Sequence, residues 1–214
     1  MNQINKLRQL NTASFFNKET LSRVIESEDD ALSANIQRWL KKGNLIQLKK
    51  GLYVTKEYYQ SLGDKQAYSE FLANILKKPS YLSCEYVLQK YSILTESVFA
   101  ITSVSRKKTR SYQNNFGTFV YSNIKDELFT GFKIISKGGF EIKEATKAKA
   151  LFDFLYLRLW RVTEITKEII ESYRFNLNEI TKKDYIEFES YIKLLGLSKF
   201  TNLKDNLKEI ANDN

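Results

Sequence analysis

The spacing of apolar positions predicts short helices followed by a hairpin in the first 60 residues. Ile4, Leu7 and Leu10 give a weak helical repeat over residues 2–10. Asn17 can cap a helix over 18–26, with Phe16 and Leu21 placed before and after the cap as a hydrophobic staple. Ser27 offers the next start. Asp30 is its capping-box partner, and Glu28, Asp29 and Asp30 suit the positive end of a helix dipole. This helix should run to Lys42, with Gly43 just beyond its end. Leu32, Ile36, Trp39 and Leu40 fall on one face, whereas Ser33, Ala34, Gln37, Arg38 and Lys41 lie outside it. Leu45-Ile46-Gln47-Leu48 then reads as a strand, Lys49-Lys50-Gly51 as a turn and Leu52-Tyr53-Val54 as the returning strand. Three helices and a hairpin with a basic tip is the element order of a winged helix-turn-helix.

Residues 57–65, with Tyr58, Tyr59, Gly63 and Asp64, read as a connection. They separate a domain at 1–60 from a second at 65–214. Tyr68, Phe71, Leu72, Ile75 and Leu76 predict a helix over 65–77, ended by Pro79; Pro79-Ser80 then opens a helix at about 83–90. From Val98 the period becomes two. Phe99, Ile101 and Ser103, then residues 116–121, then Phe132 to Ile142 around Gly138-Gly139, predict a small, largely antiparallel sheet over 98–145. Helical spacing returns from Thr146, marked by Leu151, Phe154, Leu155 and Leu159, then Ile165, Ile169 and Ile170, then Tyr185, Phe188, Tyr191 and Ile192. The last helix, 201–212, is polar enough to fray. The expected fold class is α+β: an N-terminal winged helix-turn-helix, then a mixed domain with a small antiparallel sheet and a helical C-terminal part.

Composition narrows the chemistry. A net charge of +9 suggests a polyanionic partner. The chain has no histidine, so Ser-His-Asp and Cys-His catalysis are excluded within it; with one cysteine, Cys84, so are an internal disulfide and a four-ligand Cys/His zinc site. No catalytic residue, cofactor or metal is expected. Residues 1–15 carry no long apolar run, and the apolar stretch Ala148–Trp160 is broken by Lys149, Asp153 and Arg158. A cytoplasmic protein with no membrane partner is the expectation.

The candidate partner is double-stranded DNA. Residues 1–60 hold ten Lys and Arg against six Asp and Glu, and three of those acids cluster at 28–30. On the outer face of the third helix, Ser33 and Ala34 are small enough for close approach, and Gln37 and Arg38 can reach base edges. Lys41, Lys42, Lys49 and Lys50 are placed for phosphate contact, which adds affinity without sequence preference. Arg106, Lys107, Lys108 and Arg110 form a second basic run with no acid in it, beside Tyr112. That run is either an exposed hairpin loop or a second contact surface.

Three segments, in this order, carry a family resemblance. They are LKKGNLIQLKKGLYV at 40–54; Pro79-Ser80-Tyr81-Leu82-Ser83 running on to Ala100-Ile101-Thr102-Ser103; and Ala145-Thr146-Lys147-Ala148-Lys149-Ala150-Leu151-Phe152-Asp153-Phe154-Leu155-Tyr156. Over residues 10–160 the chain resembles the AbiEi family, the antitoxin and transcriptional-repressor half of the bacterial abortive-infection (type IV) toxin–antitoxin system AbiE. The resemblance implies a winged helix that binds inverted repeats at its own promoter, as a monomer or weak dimer. It also implies a C-terminal domain that neutralises a nucleotidyltransferase toxin without needing a stable complex. Lys147-Ala148 departs from the Pro-Glu of relatives, which removes a favourable helix start. The wing carries Lys49-Lys50 where relatives are richer in arginine, which keeps phosphate binding but not bidentate guanine reading.

Two other readings compete. A stand-alone winged-helix regulator would use its second domain for sensing or dimerisation. A metal-dependent nuclease would use Asp126, Glu141 and Lys143, carboxylates for the ion and an amine for the attacking water. With 25 acids and 34 Lys and Arg in 214 residues, chance alone supplies roughly four acid-x-base triplets.

Overall fold

The computed structural model describes residues 3–213. They fall into two compact units, one running to Ser69 and including Tyr112–Phe116, the other comprising Glu70–Ser111 and the chain from Gly117 onward.

In the first unit, α1 (Gln3–Leu7) leads through a 3₁₀ turn to β1 (Phe16–Asn17), α2 (Lys18–Ile25), α3 (Asp29–Lys41), β2 (Leu45–Lys49), β3 (Leu52–Thr55) and α4 (Lys56–Ser61). The short strands form an antiparallel three-stranded sheet, β1-β3-β2. Leu7, Leu10, Phe16, Leu21, Ile25, Leu32, Ile36, Trp39, Leu45 and Tyr53 form one buried core, so helices and strands contribute to the same apolar cluster. The Asn17 side chain accepts a hydrogen bond from the Thr20 amide at 2.8 Å, and its staple partners Phe16 and Leu21 are both buried.

The start of α3 differs from the expected capping box. Leu32 N–H donates to the Glu28 carbonyl at 2.8 Å, which makes Glu28 the cap residue, and no side chain caps there. Ser27 lies one residue too early. The acids Asp29 and Asp30 in the first turn supply the favourable charge instead. Residues 57–65 also differ: they hold α4, started by the Thr55 hydroxyl, which accepts from the Tyr58 amide at 3.2 Å. The turn residues Gly63 and Asp64 lie beyond its end. Asp64 accepts from the Ala67 amide at 2.8 Å and starts α5 (Lys65–Leu76).

The second unit takes up the chain at Glu70, within α5. It continues through β4 (Ser80–Leu82), α6 (Glu85–Lys90), β5 (Ala100–Ser105), the first two residues of β6 (Arg110–Asn114), β7 (Gly117–Asn123), β8 (Phe132–Lys137) and β9 (Phe140–Ala145). Then come α7 (Lys147–Leu159), α8 (Lys167–Glu171), α9 (Lys182–Leu195) and α10 (Leu203–Asp213). Pro79 is followed by a strand and not directly by a helix. The three residues of β4 are all buried, and a run that short has no period to read.

The sheet is mixed rather than largely antiparallel, with strand order β6-β7-β5-β4-β9-β8. β5–β7 and β4–β9 pair parallel, while β4–β5 and β8–β9 pair antiparallel. The β8–β9 hairpin turns at Gly138-Gly139, both at positive φ, as a two-residue hairpin tip requires. Phe99 stands outside its expected strand, which begins at Ala100, and is almost wholly exposed. Leu203, Leu207 and Ile210, at helical spacing, are buried, so α10 is docked along an apolar face rather than frayed.

Candidate nucleic-acid interface

α3 separates its two faces sharply. Leu32, Ile36 and Trp39 are buried and Leu40 is partly buried against the same core. Ala34, Gln37, Arg38 and Lys41 are exposed. Asn35, which the apolar pattern does not include, is buried as well. The C-terminal end closes as a Schellman motif. Gly43, at φ +73°, donates to the Leu40 carbonyl at 3.1 Å, and Asn44 donates to the Trp39 carbonyl at 2.9 Å. Lys42 is the cap residue and is exposed. The last turn is therefore a cationic end held on a fixed backbone, with Arg38 and Lys41 beside the negative pole of the helix.

α2 and α3 are tied by one side chain. Lys18, the first residue of α2, places its ammonium 2.7 Å from the Asp29 carboxylate and 3.0 Å from the Ser33 hydroxyl. Ser33 also donates to the Asp29 carbonyl at 2.7 Å. Of the α3 residues expected to face DNA, Ser33 is thus half-buried with its hydroxyl engaged at the α2–α3 junction, while the others stand exposed. The part Lys18 plays is not legible in the sequence; its position 11 residues before Asp29 gives no periodic signal.

The hairpin has a two-residue loop, Lys50-Gly51, with Gly51 at φ +78°. A bulge at Leu48 shifts the register, so that both Leu45 and Leu48 point inward. Lys50 is exposed at the tip. Lys49 is half-buried, its ammonium 5.9 Å from the centroid of the Tyr112 ring. Asn114 donates from its side-chain amide to the Leu48 carbonyl at 2.8 Å, satisfying a backbone group that the bulge takes out of the ladder. Phe116 packs edge-on against Tyr59 and Tyr68, at centroid distances of 4.8 and 5.5 Å. Residues 112–116 therefore buttress the hairpin and α4 from a distant part of the chain, and no short-range pattern announces it. Burial pushes the Tyr68 phenol well above its ordinary value, and its hydroxyl donates to the Ser14 carbonyl at 2.7 Å.

In the second unit, Arg106, Lys107, Lys108 and Arg110 are exposed on the β5–β6 connection and the first residue of β6. Arg106 lies 3.9 Å from Asp126 and stacks over Phe129. Glu141 and Lys143 lie on the outer side of β9, and Asp126 sits in a 3₁₀ turn. Among the described residues no three Asp, Glu or Cys side chains gather where a metal ion could sit.

The motifs at 79–83, 100–103 and 145–156 meet in the interior of this unit. β4 pairs with β5, and the Thr102 hydroxyl donates to the Ser83 carbonyl at 2.6 Å. Asp153 is fully buried and accepts from the Lys149 ammonium, from Tyr81 at 3.0 Å and from Ser83 at 2.7 Å. Lys149 is ringed by Tyr81, Phe152 and Tyr191, with the nearest centroid, that of Phe152, 4.9 Å away. Despite the missing Pro-Glu, α7 starts cleanly, because the Thr146 hydroxyl accepts from the Lys149 amide at 3.1 Å. Among the described residues, no helix is long and apolar enough to cross a membrane. No family model matches the chain, and a search of curated proteins returns no match.

Proposed function

We propose that the chain is a DNA-binding transcriptional repressor of the AbiEi antitoxin kind, acting by binding rather than catalysis. In this reading the first unit is a winged helix-turn-helix, α3 the recognition helix and β2–β3 the wing. The observation that carries it is the two-sidedness of α3. Ala34, Gln37, Arg38 and Lys41 stand exposed while Leu32, Ile36 and Trp39 anchor the helix from behind, and a hairpin with Lys50 at its tip follows at once. A helix that enters a major groove needs that small-then-cationic outer face. Lys41, Lys42, Lys49 and Lys50 then serve phosphates, and Gln37 and Arg38 serve base edges. The antitoxin role rests on the order of the three motifs. A nucleotidyltransferase toxin is the expected functional partner, without a stable complex.

The direct test is a gel-shift with the DNA upstream of the chain's own operon over a salt series. Replacing Arg38 by alanine should cost about 1–3 kcal/mol and relax specificity at one position. The double replacement of Lys49 and Lys50 should weaken all sequences alike and flatten the logarithmic salt slope by roughly two at most. The absence of a salt-sensitive shift at micromolar protein would refute the DNA-binding reading. Co-expression with the adjacent gene product tests the antitoxin role separately: growth arrest that persists would leave a plain regulator.

A further inference from the structure

The second unit concentrates positive charge around a cavity of about 480 Å³ that the DNA-binding reading does not use. Lys78 from the chain just after α5, Arg106 from the β5–β6 connection and Lys143 from β9 line it, with Phe71 and Ile134 as apolar walls and Glu141 as its acid. Three cations therefore arrive from three separate elements. Lys107 on the same connection, Arg110 at the start of β6 and Lys77 beside Lys78 add to the field. Lys77 feels this crowding: partial burial first, then Arg110 and Lys107, hold its ammonium below the ordinary lysine value. The carboxylates on this side are Glu141 and, 3.9 Å from Arg106, Asp126. Like charges gathered around one cleft repel each other in the empty protein and are favourable once an anion sits among them.

The walls are as informative as the charges. Ile134 is 60% exposed on β8, a large apolar side chain left facing water. Phe71 is stacked on Phe140 at 4.9 Å between centroids, which fixes its ring. The Asn74 side chain is locked on both sides by the Lys143 backbone, donating to its carbonyl and accepting from its amide at 2.6 Å, so β9 and its Lys143 are held in register with α5. A rigid cleft with apolar walls, one acceptor carboxylate and a cationic rim suits a small ligand that is flat at one end and anionic at the other.

We propose that this cavity binds a free nucleoside phosphate, with Lys78, Arg106 and Lys143 on the phosphates and Phe71 and Ile134 against the base. Glu141 accepts from an N–H or O–H donor of the base or sugar. The site shares no residue with α3 or the β2–β3 hairpin.

Full-length protein titrated with N-methylanthraniloyl-ATP, followed by anisotropy, tests this. Saturable binding is expected, displaced by unlabelled ATP and, at higher concentration, by inorganic phosphate. Arg106→Ala and Lys143→Ala should each weaken it by about tenfold, as loss of a charge-assisted contact does; both residues are exposed, and circular dichroism checks that the variants remain folded. The Lys49→Ala, Lys50→Ala double variant should bind the probe as the parent does. No binding, equal loss in the hairpin variant, or indifference to Arg106 and Lys143 would overturn the proposal. So would displacement by a single-stranded oligonucleotide but not by ATP, since that result would assign the charge to a strand-tracking surface.

Discussion

Replacing Asp153 by asparagine leaves the Lys149 ammonium with no counter-charge and no route to water. Both side chains are wholly buried, and the carboxylate accepts from Lys149, Tyr81 and Ser83 at once. Removing one partner of such a pair costs about 3–5 kcal/mol. The rings of Tyr81, Phe152 and Tyr191 offset part of that through their π faces, by about 2 kcal/mol when desolvated. A net loss of about 1–3 kcal/mol is therefore expected for Asp153→Asn. Burial is the largest influence on Asp153 and pushes its carboxyl up from 3.8, outweighing the ammonium and the hydroxyls that pull it down. The pair thus does not recover its full desolvation cost, which has two consequences. In Lys149→Met the carboxyl keeps its proton in the folded protein above the pH at which the unfolded chain releases it. The parent carboxyl is already raised and loss of the ammonium raises it further, so the cost of that variant grows as pH rises through the interval between the two folded midpoints. In the double variant Lys149→Met, Asp153→Leu the charges vanish together, and only the Tyr81 and Ser83 hydroxyls lose an acceptor, at about 1–3 kcal/mol each.

Urea unfolding of the parent, Lys149→Met, Asp153→Leu and the double variant measures the four corners of this cycle, with Trp160 beside Tyr156 reporting on the second unit. A coupling energy of at least about 2 kcal/mol is expected, with the double variant losing much less than the sum of the singles. Single losses that add to within about 0.5 kcal/mol would refute the reasoning, because two groups in this contact cannot act independently.

Local geometry sets three further outcomes. Asn17→Ala should cost about 1 kcal/mol through the lost cap of α2, read from Trp39 fluorescence in urea. Gly131→Ala should cost about 2–4 kcal/mol by thermal unfolding, since φ is +74° and a Cβ would overlap the Tyr191 hydroxyl and press on the Lys149 side chain. Glu189 lies between Lys204 at 2.6 Å and Lys193 at 3.0 Å, which hold its carboxyl at about 2 against an ordinary 4.5. Its contribution to stability is present above the ordinary value and fades as pH falls toward about 2. A carboxyl-carbon NMR titration should find that midpoint, and in Lys204→Ala it should move back toward 4.5.

What the sequence discloses depends on how local the physics is. Asn17, Gly43 and Gly138-Gly139 act within a few residues of their position, through a cap, a left-handed helix end and a hairpin tip, and each does in the structure what its surroundings predict. The face of α3 is likewise readable, because every residue on it belongs to one helix. β4 is illegible because three buried residues cannot show a period. The parallel pairing of β5 with β7 is illegible because adjacency in a sheet is not adjacency along the chain. The bond from Asn114 to Leu48 reaches across 66 residues, and Leu48 needs it only because a bulge has freed its carbonyl.

The location of the motif residues changes what the family resemblance can carry. Tyr81, Ser83, Lys149 and Asp153 come from two of its three segments, and all are buried in one hydrogen-bonded network. Buried residues in such a network specify a core, and no partner can touch them without unfolding it. On the proposed AbiEi reading these residues serve the scaffold and not a toxin contact. On the proposed antitoxin reading, a neutralising surface would use exposed residues, and on the second unit the β5–β6 connection and the outer side of β9 carry the exposed cations Arg106, Lys107, Lys108 and Lys143. Substitutions at Arg106 and Lys143 should consequently separate antitoxin activity from stability. Substitutions at Lys149 and Asp153 should lose both together, in proportion to the fraction unfolded at the growth temperature.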